Sequence, residues 1–317
     1  MNLKKFFSNI IFGIYTILLI FFGILGWGHE FGIYFNSLIL KIYPNSPKAW
    51  DNKGVAFGTI EKYDEALNCF NNAIKLNPDY FDANFNKAIN YHNMNKYKHA
   101  LKGWNKCLKL KPNYFYLKLN KAAELFYLNE LDKAYDLIST IPPEFQESWT
   151  FLYIKGIIFK DKQKFVESNK CFDKIINSKL DLKKQLYVRD KLSFYKELKL
   201  IKEESFFHYA FNCYMLGDLE KALDLELQGL KSAPYNYTEV SFCGTLYYLL
   251  GNYEEAEKYH LRSLKHIPND EFALYYQGRI FEKTDRIPQA IENFNKVLEI
   301  EPECDEAKKR LKELKGQ

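Results

Sequence analysis

A 34-residue period constrains this chain more than any other feature. Ala66, Ala100 and Ala134 stand 34 apart and Ser168 falls 34 further on; after a slip of 20 residues the register resumes at Ala222, Ala256 and Ala290. A second column keeps step with the first: Gly54, Ala88, Ala122 and Gly156, then Ala210, Gly244 and Gly278. A third is proline, at Pro78, Pro112, Pro234, Pro268 and Pro302. Small residues at two fixed places mark where two helices touch closely, and the proline marks where the second helix stops, since it cannot continue the backbone ladder. A period of this length predicts a helix–turn–helix solenoid.

Other positions fill out the pattern. The first repeat carries Trp50, Gly54, Phe57, Tyr63, Ala66, Phe70, Ala73 and Pro78; the sixth carries Gly244, Tyr247, Gly251, Tyr253, Ala256 and Pro268; the seventh carries Gly278, Phe281, Ala290, Phe294 and Pro302. Pro288 opens the second helix of the seventh, where its missing N–H costs nothing. These columns resemble the tetratricopeptide repeat (TPR). Seven repeats are expected, at 47–80, 81–114, 115–148, 149–180, 203–236, 237–270 and 271–304, with the third cut short at Pro142-Pro143 and the fourth lacking its terminal proline. The resemblance implies an all-α fold, a right-handed helical-hairpin solenoid or TPR superhelix. It specifies architecture and leaves function open.

The rest of the chain adds little chemistry. A net charge of +5 is spread through the sequence, which disfavours nucleic acid as a partner. Cys69, Cys107, Cys171, Cys213, Cys243 and Cys304 form no CxxC pair and have no histidine at ligand spacing, so they read as buried free thiols. His260 and His266 are six apart and do not share a helix face. No phosphate loop, nucleophile elbow or paired-carboxylate arrangement is present, so neither enzyme activity nor a metal, a cofactor or a small-molecule substrate is expected.

The N-terminus reads as a membrane segment. No charged residue occurs from Phe6 to Gly28, and of the 18 residues Ile10–Trp27 twelve are Ile, Leu or Phe. About 20 apolar residues span a bilayer core. The run is long for a signal-peptide core and no small-x-small cleavage site follows, so residues 1–29 are expected to be an uncleaved single-pass transmembrane helix. Lys4 and Lys5 precede it, which by the positive-inside rule places the repeats on the extracytoplasmic side; six unpaired cysteines argue the other way.

Residues 30–46 look like a half-repeat capping helix, with Gly32, Ile39 and Pro44 in the repeat columns. Residues 305–317 look like a solvating C-terminal cap with Ala307, Leu311 and Leu314 on one face. Between them the 34-residue phase breaks at 181–202, where apolar residues at helical spacing, with no glycine or proline, predict an inserted helix or a long extension of the first helix of repeat five. The array is thereby divided into repeats 1–4 (47–180) and 5–7 (203–304).

In the family the first helices line a concave groove. Its offsets, carried onto this sequence, give an asparagine column, Asn52, Asn86 and Asn120, whose amides can hold an extended peptide backbone. Beside it the resemblance places Phe85, His92, Tyr116, Tyr127, Phe211, Tyr275 and Tyr276 as peptide-binding residues, with Phe126, Tyr153, Phe207, Tyr214, Phe242 and Tyr248 as further groove aromatics. The two-carboxylate clamp of chaperone-binding repeats has one match in five, Asn86. The function expected is a membrane-anchored scaffold for protein–protein interaction, binding a protein or an extended peptide. The alternative is an accessory subunit of a membrane-bound glycan-modification or secretion assembly.

Overall fold

The small columns sit where helices cross. A Cβ built on Gly54 would stand 2.6 Å from the Phe70 ring, one on Gly156 2.8 Å from Phe172, and one on Gly278 2.9 Å from Phe294. Each pair joins the first helix of a repeat to its second, so glycine lets an aromatic ring lie flat against the backbone. Ala66, Ala100, Ala134, Ala222, Ala256 and Ala290 are all fully buried. Ser168 takes the same column in the fourth repeat, and its hydroxyl is satisfied there: it donates to the Gly156 carbonyl at 2.8 Å and accepts from the Asn212 amide at 2.8 Å.

A computed structural model describes residues 28–179 and 191–316, and the side chains of all of these but 191–197. The described residues form 16 α-helices, one short 3-10 turn at Pro143–Phe145 and no strands. The chain divides into two compact units, Met1–Pro142 and Pro143–Gln317.

The first unit contains α1 (Gly28–Ile42) and three hairpins: α2 (Pro47–Thr59) with α3 (Tyr63–Leu76), α4 (Phe81–Asn93) with α5 (Tyr97–Leu110), and α6 (Tyr116–Tyr127) with α7 (Leu131–Ser139). The second contains α8 (Trp149–Asp161) with α9 (Phe165–Asn177), α10 (Lys191–Met215) with α11 (Leu219–Ser232), α12 (Tyr237–Leu249) with α13 (Tyr253–Leu264), α14 (Glu271–Lys283) with α15 (Ile287–Ile300), and α16 (Asp305–Leu314). Each unit is a stack of helical hairpins. The second helices bury one stripe at helical spacing, as with Ala66, Cys69, Phe70 and Ala73 on α3 or Ser168, Cys171, Phe172 and Ile175 on α9.

The turn inside each hairpin repeats as faithfully as the helices. Glu61, Asn95, Asn129, Gln163, Gly217, Gly251 and Asp285 all have φ between 56° and 82°. At each one the next residue's N–H reaches back to the first helix, as Lys62 does to the Phe57 carbonyl at 3.0 Å and Arg286 to Phe281 at 2.7 Å. This six-to-one bond ends the helix in the left-handed region and turns the chain sharply. Asn, Asp and Gly adopt that region readily; Glu61 and Gln163 are held in it by the hairpin.

The ends and the phase break bear on the expected organisation. On α1, Ile39 and Leu40 pack with Ala49, Phe35 and Trp50; on α16, Ala307 and Leu311 join the core of Phe294 and Val297. Of the phase break 181–202, residues 191–202 are the first half of the 25-residue α10, while 180–190 lie outside the described residues. The units divide at Pro142-Pro143, upstream of the phase break. There α7 has only nine residues, against 13 or 14 in α3 and α9, so the third hairpin is short. Across the break α10 packs on both α8 and α9. The uncharged run Phe6–Gly28, apart from Gly28, lies outside the described residues, and no described helix is long and apolar enough to cross a membrane.

Candidate functional site

The first helices of the second unit carry two aromatic clusters, both of which include a ring of α12. On α10 and α12, Phe207, Phe211 and Tyr214 surround Phe242 at centroid distances of 6.1, 6.5 and 5.7 Å. On α12 and α14, Tyr276 meets Tyr248 at 5.4 Å, Tyr275 at 5.4 Å and Phe272 at 5.9 Å. Phe207, Phe211, Tyr214, Phe242, Tyr275 and Tyr276 are all half-buried, Tyr248 is buried, and Phe272 is 63% exposed. The structure therefore brings together the expected residues Tyr275 and Tyr276, and sets Phe211 in a second cluster of the same unit.

At the α8 end of this surface a polar chain replaces the rings. The Lys160 ammonium donates to Nδ1 of His208 at 3.4 Å; Nε2 of His208 lies 3.3 Å from the Tyr153 hydroxyl, which donates to the Glu204 carboxylate. Burial, and then the Lys160 charge, push the His208 imidazole down to about 3, so it is neutral at physiological pH. A neutral ring that accepts at Nδ1 carries its proton at Nε2, and every donor in the chain then has an acceptor. Lys160 also lies 5.6 Å over the Phe211 ring.

Sequence reasoning did not single out His208, Lys160 or Glu204. The signal was available, because the asparagine column continued past the phase break reads His208, Phe242, Tyr276. The residue type changes along the column, first to Ile154 in the fourth repeat, so a search for asparagine stops before the break.

In the first unit the expected residues separate by environment. Asn86 donates to the buried Asp51 carboxylate at 2.7 Å, tying α4 to α2. Asn52 and Asn120 are half-buried and their side chains make no hydrogen bond among the described residues. Phe85 is 4% exposed, its ring packed edge-on against Trp104 at 5.3 Å, and Tyr116 is 7% exposed. Both are core residues, which corrects their expected place on an open surface. Position five of a first helix points between hairpins here, and the large Trp104 draws Phe85 inward.

His92 and Tyr127 do come together: the His92 ring lies 5.5 Å from Tyr127, which stacks on Tyr97 at 4.7 Å. His92 Nδ1 is 2.9 Å from the buried Glu124 carboxylate, which also accepts from the Trp104 indole at 3.1 Å. The cluster therefore has one exposed ring, Tyr127, on a buried polar base.

The cysteines lie mostly inside the fold. Five are buried, and burial pushes the thiols of Cys69, Cys171 and Cys213 up to about 11 and that of Cys107 to about 12. Cys304 is partly exposed. Among the described residues no group of three or more His, Cys, Asp or Glu side chains is placed to hold a metal ion.

Comparison with known proteins supports the repeat assignment at both ends of the array. The family model described as tetratricopeptide repeat matches residues 47–80, and a second of the same description matches residues 272–303. Among solved structures the chain is similar to the APC/C hetero-tetramer Cut9-Hcn1, with a TM-score of 0.60 and 14% identity over 89% of this chain and 52% of that one. The chain thus spans about half the length of that relative. It is also similar to human IFIT1, solved as a dimer with PPP-AAAA (TM-score 0.58, 14% identity, 98% and 75% covered). A third similar structure is a tetratricopeptide repeat protein from Parabacteroides merdae (TM-score 0.52, 16% identity, 84% and 98% covered). At these identities the likeness concerns the fold. No curated protein matches the sequence.

Proposed function

We propose that this tetratricopeptide-repeat protein is a protein–protein interaction scaffold that receives an extended segment of a partner along the first-helix face of its second unit. The observation that carries the reading is the aromatic surface from Phe207 to Phe272. Most of these rings are half-buried, in two clusters that share α12, where an occupant can cover them and gain apolar contact without reorganising the helices. Rigid aromatic anchors lose little conformational entropy on binding, which is why such residues dominate interface energetics. Cut9 and Hcn1 form one assembly, so this fold supports a protein partner.

Photo-crosslinking from position 211 or 242 in the full chain tests this reading. A partner is expected to be captured from native membranes, and Phe211→Ala with Phe242→Ala is expected to weaken its binding roughly thirty-fold or more. The exposed lysines Lys75 and Lys265 are expected to tolerate alanine. Loss of capture on the lysine changes, with full retention by the double phenylalanine variant, would move the binding surface elsewhere.

The reading includes a membrane tether, which rests on the uncharged run from Phe6 to Gly28. Deleting residues 1–27 is expected to move the protein from the membrane pellet to the soluble fraction. Recovery of the full chain in the soluble fraction would refute the tether and leave the aromatic surface untouched.

A further inference from the structure

The aromatic surface ends in a cleft whose chemistry is more specific than the rest. It has a volume of about 340 Å³ and lies between α14, the end of α15 and the start of α16. Three rings form one side: Tyr275 and Tyr276 meet at 86°, and Phe272 flanks Tyr276. Val297, 1% exposed, closes the apolar floor. Glu271, Glu301 and Glu306 stand on the rim.

Among the described residues no lysine or arginine pairs with any of these three carboxylates, although Glu306 accepts from the Cys304 thiol at 3.9 Å. Acids nearby are paired. Lys308 holds Glu303 at 3.0 Å, Arg286 holds Glu257 at 2.6 Å, and Arg310 holds Glu282. Glu271 and Glu306 lie in the first turns of α14 and α16, where a negative charge also complements the helix end. That does not account for Glu301, which follows the end of α15, nor for a phenylalanine left 63% exposed beside them. Ring faces and carboxylates have one ligand chemistry in common: both attract a cation. The faces do so through the ring quadrupole, the carboxylates through charge.

We infer that this corner takes the ammonium or guanidinium head of a lysine or arginine in the bound partner segment. The alkyl stem would lie on Phe272 and Val297 while the head reaches the carboxylate rim. The inference rests on the second-unit binding surface proposed above and gives that surface a polarity: the partner's basic side chain sits at the α14–α16 end.

Cys304 on the cleft wall supplies the readout, since the other five cysteines are buried. In the full chain a cationic thiosulfonate reagent is expected to modify Cys304 about tenfold faster than an anionic one at low salt. Glu271→Gln, Glu301→Gln and Glu306→Gln together are expected to bring the two rates together, since Glu306 touches the Cys304 thiol itself. Tetralysine is expected to protect Cys304 in the wild type and not in Phe272→Ala, and tetraglutamate is expected to give no protection. Equal rates for the two reagents, or no protection by tetralysine, would overturn the cation site. If partner capture still depends on Phe211 and Phe242 in that case, the binding surface stands without its basic anchor. If tetralysine protects while capture ignores Phe211 and Phe242, the corner stands and the longer surface falls.

Discussion

Glu226→Leu is expected to raise the stability of the second unit by about 3 kcal/mol at pH 7, and Glu226→Gln to abolish a loss of stability above neutral pH. Glu226 on α11 is fully buried and neither carboxyl oxygen has a hydrogen-bond partner. It sits 34-residue steps away from His260 and Phe294, in the column that continues Phe70, Trp104, Ile138 and Phe172 across the break. Burial, and then the charge of Glu239, push its carboxyl from the ordinary 4.5 up to about 9.

The sign follows from proton binding. Between pH 4.5 and about 9 the folded chain keeps a proton that the unfolded chain has released, so stability falls by about 1.4 kcal/mol per pH unit. Over the interval from 4.5 to 7 that amounts to about 3 kcal/mol. Glu239, pushed up to about 7 by burial and by Glu203 and Glu204, acts in the same direction at lower pH.

Two buried histidines oppose this. Burial pushes His260 down to about 4 and, with Lys160, His208 down to about 3; their contributions are present above 6.5 and are lost as pH falls. The opposing slopes offset between pH 4.5 and 6.5, so Glu226 dominates between pH 7 and 8.5. Calorimetry over that range is expected to show the transition of the second unit falling in the wild type and nearly level in Glu226→Gln. An unchanged slope in Glu226→Gln would show that this carboxyl is ionised and solvated in the fold.

Phe172→Ala is expected to cost the second unit about 3–5 kcal/mol, and Gly156→Leu about 1–3 kcal/mol. Phe172 is fully buried and its ring lies where a Cβ on Gly156 would be 2.8 Å away. The first change opens a cavity; the second drives a side chain into the ring. Because the two residues touch, their effects are not expected to add. The double variant is expected to be more stable than the sum of the single losses by at least about 1 kcal/mol, since leucine then occupies the space the ring has left. Urea melts of the four proteins close the cycle, and additive losses would show that the two positions do not share one packing site. Calorimetry of the Phe172→Ala protein identifies which transition belongs to the second unit.

Much of the local chemistry of the repeat was legible in the sequence. Gly54, Gly156 and Gly278 announced close contacts because only glycine leaves room for a ring against the backbone, and the contacts to Phe70, Phe172 and Phe294 are there. Pro288, expected to open the second helix of the seventh repeat, stands at the second position of α15. The buried thiols were legible for the same reason: Cys69, Cys171 and Cys213 fall on the buried stripe or at the crossings of a repeating frame.

The sequence by itself determined the period, the helix ends and the small-residue contacts, since each depends on backbone geometry within one repeat. Only the tertiary structure decided which aromatic faced outward. Phe85 and Phe207 occupy the same column of the repeat, yet Trp104 encloses Phe85 while Phe207 stays half-open beside Phe211 and Phe242. It also decided that Glu61 and Gln163 take the left-handed turn that Asn95 and Gly217 take readily, because the hairpin closes only in that conformation. The meeting of Lys160, His208, Tyr153 and Glu204 was likewise out of reach, since about fifty residues separate its halves. Contacts within a repeat are written in residue spacing; contacts between repeats depend on how far each helix has rotated against the next, and that is settled only when the side chains of both are packed.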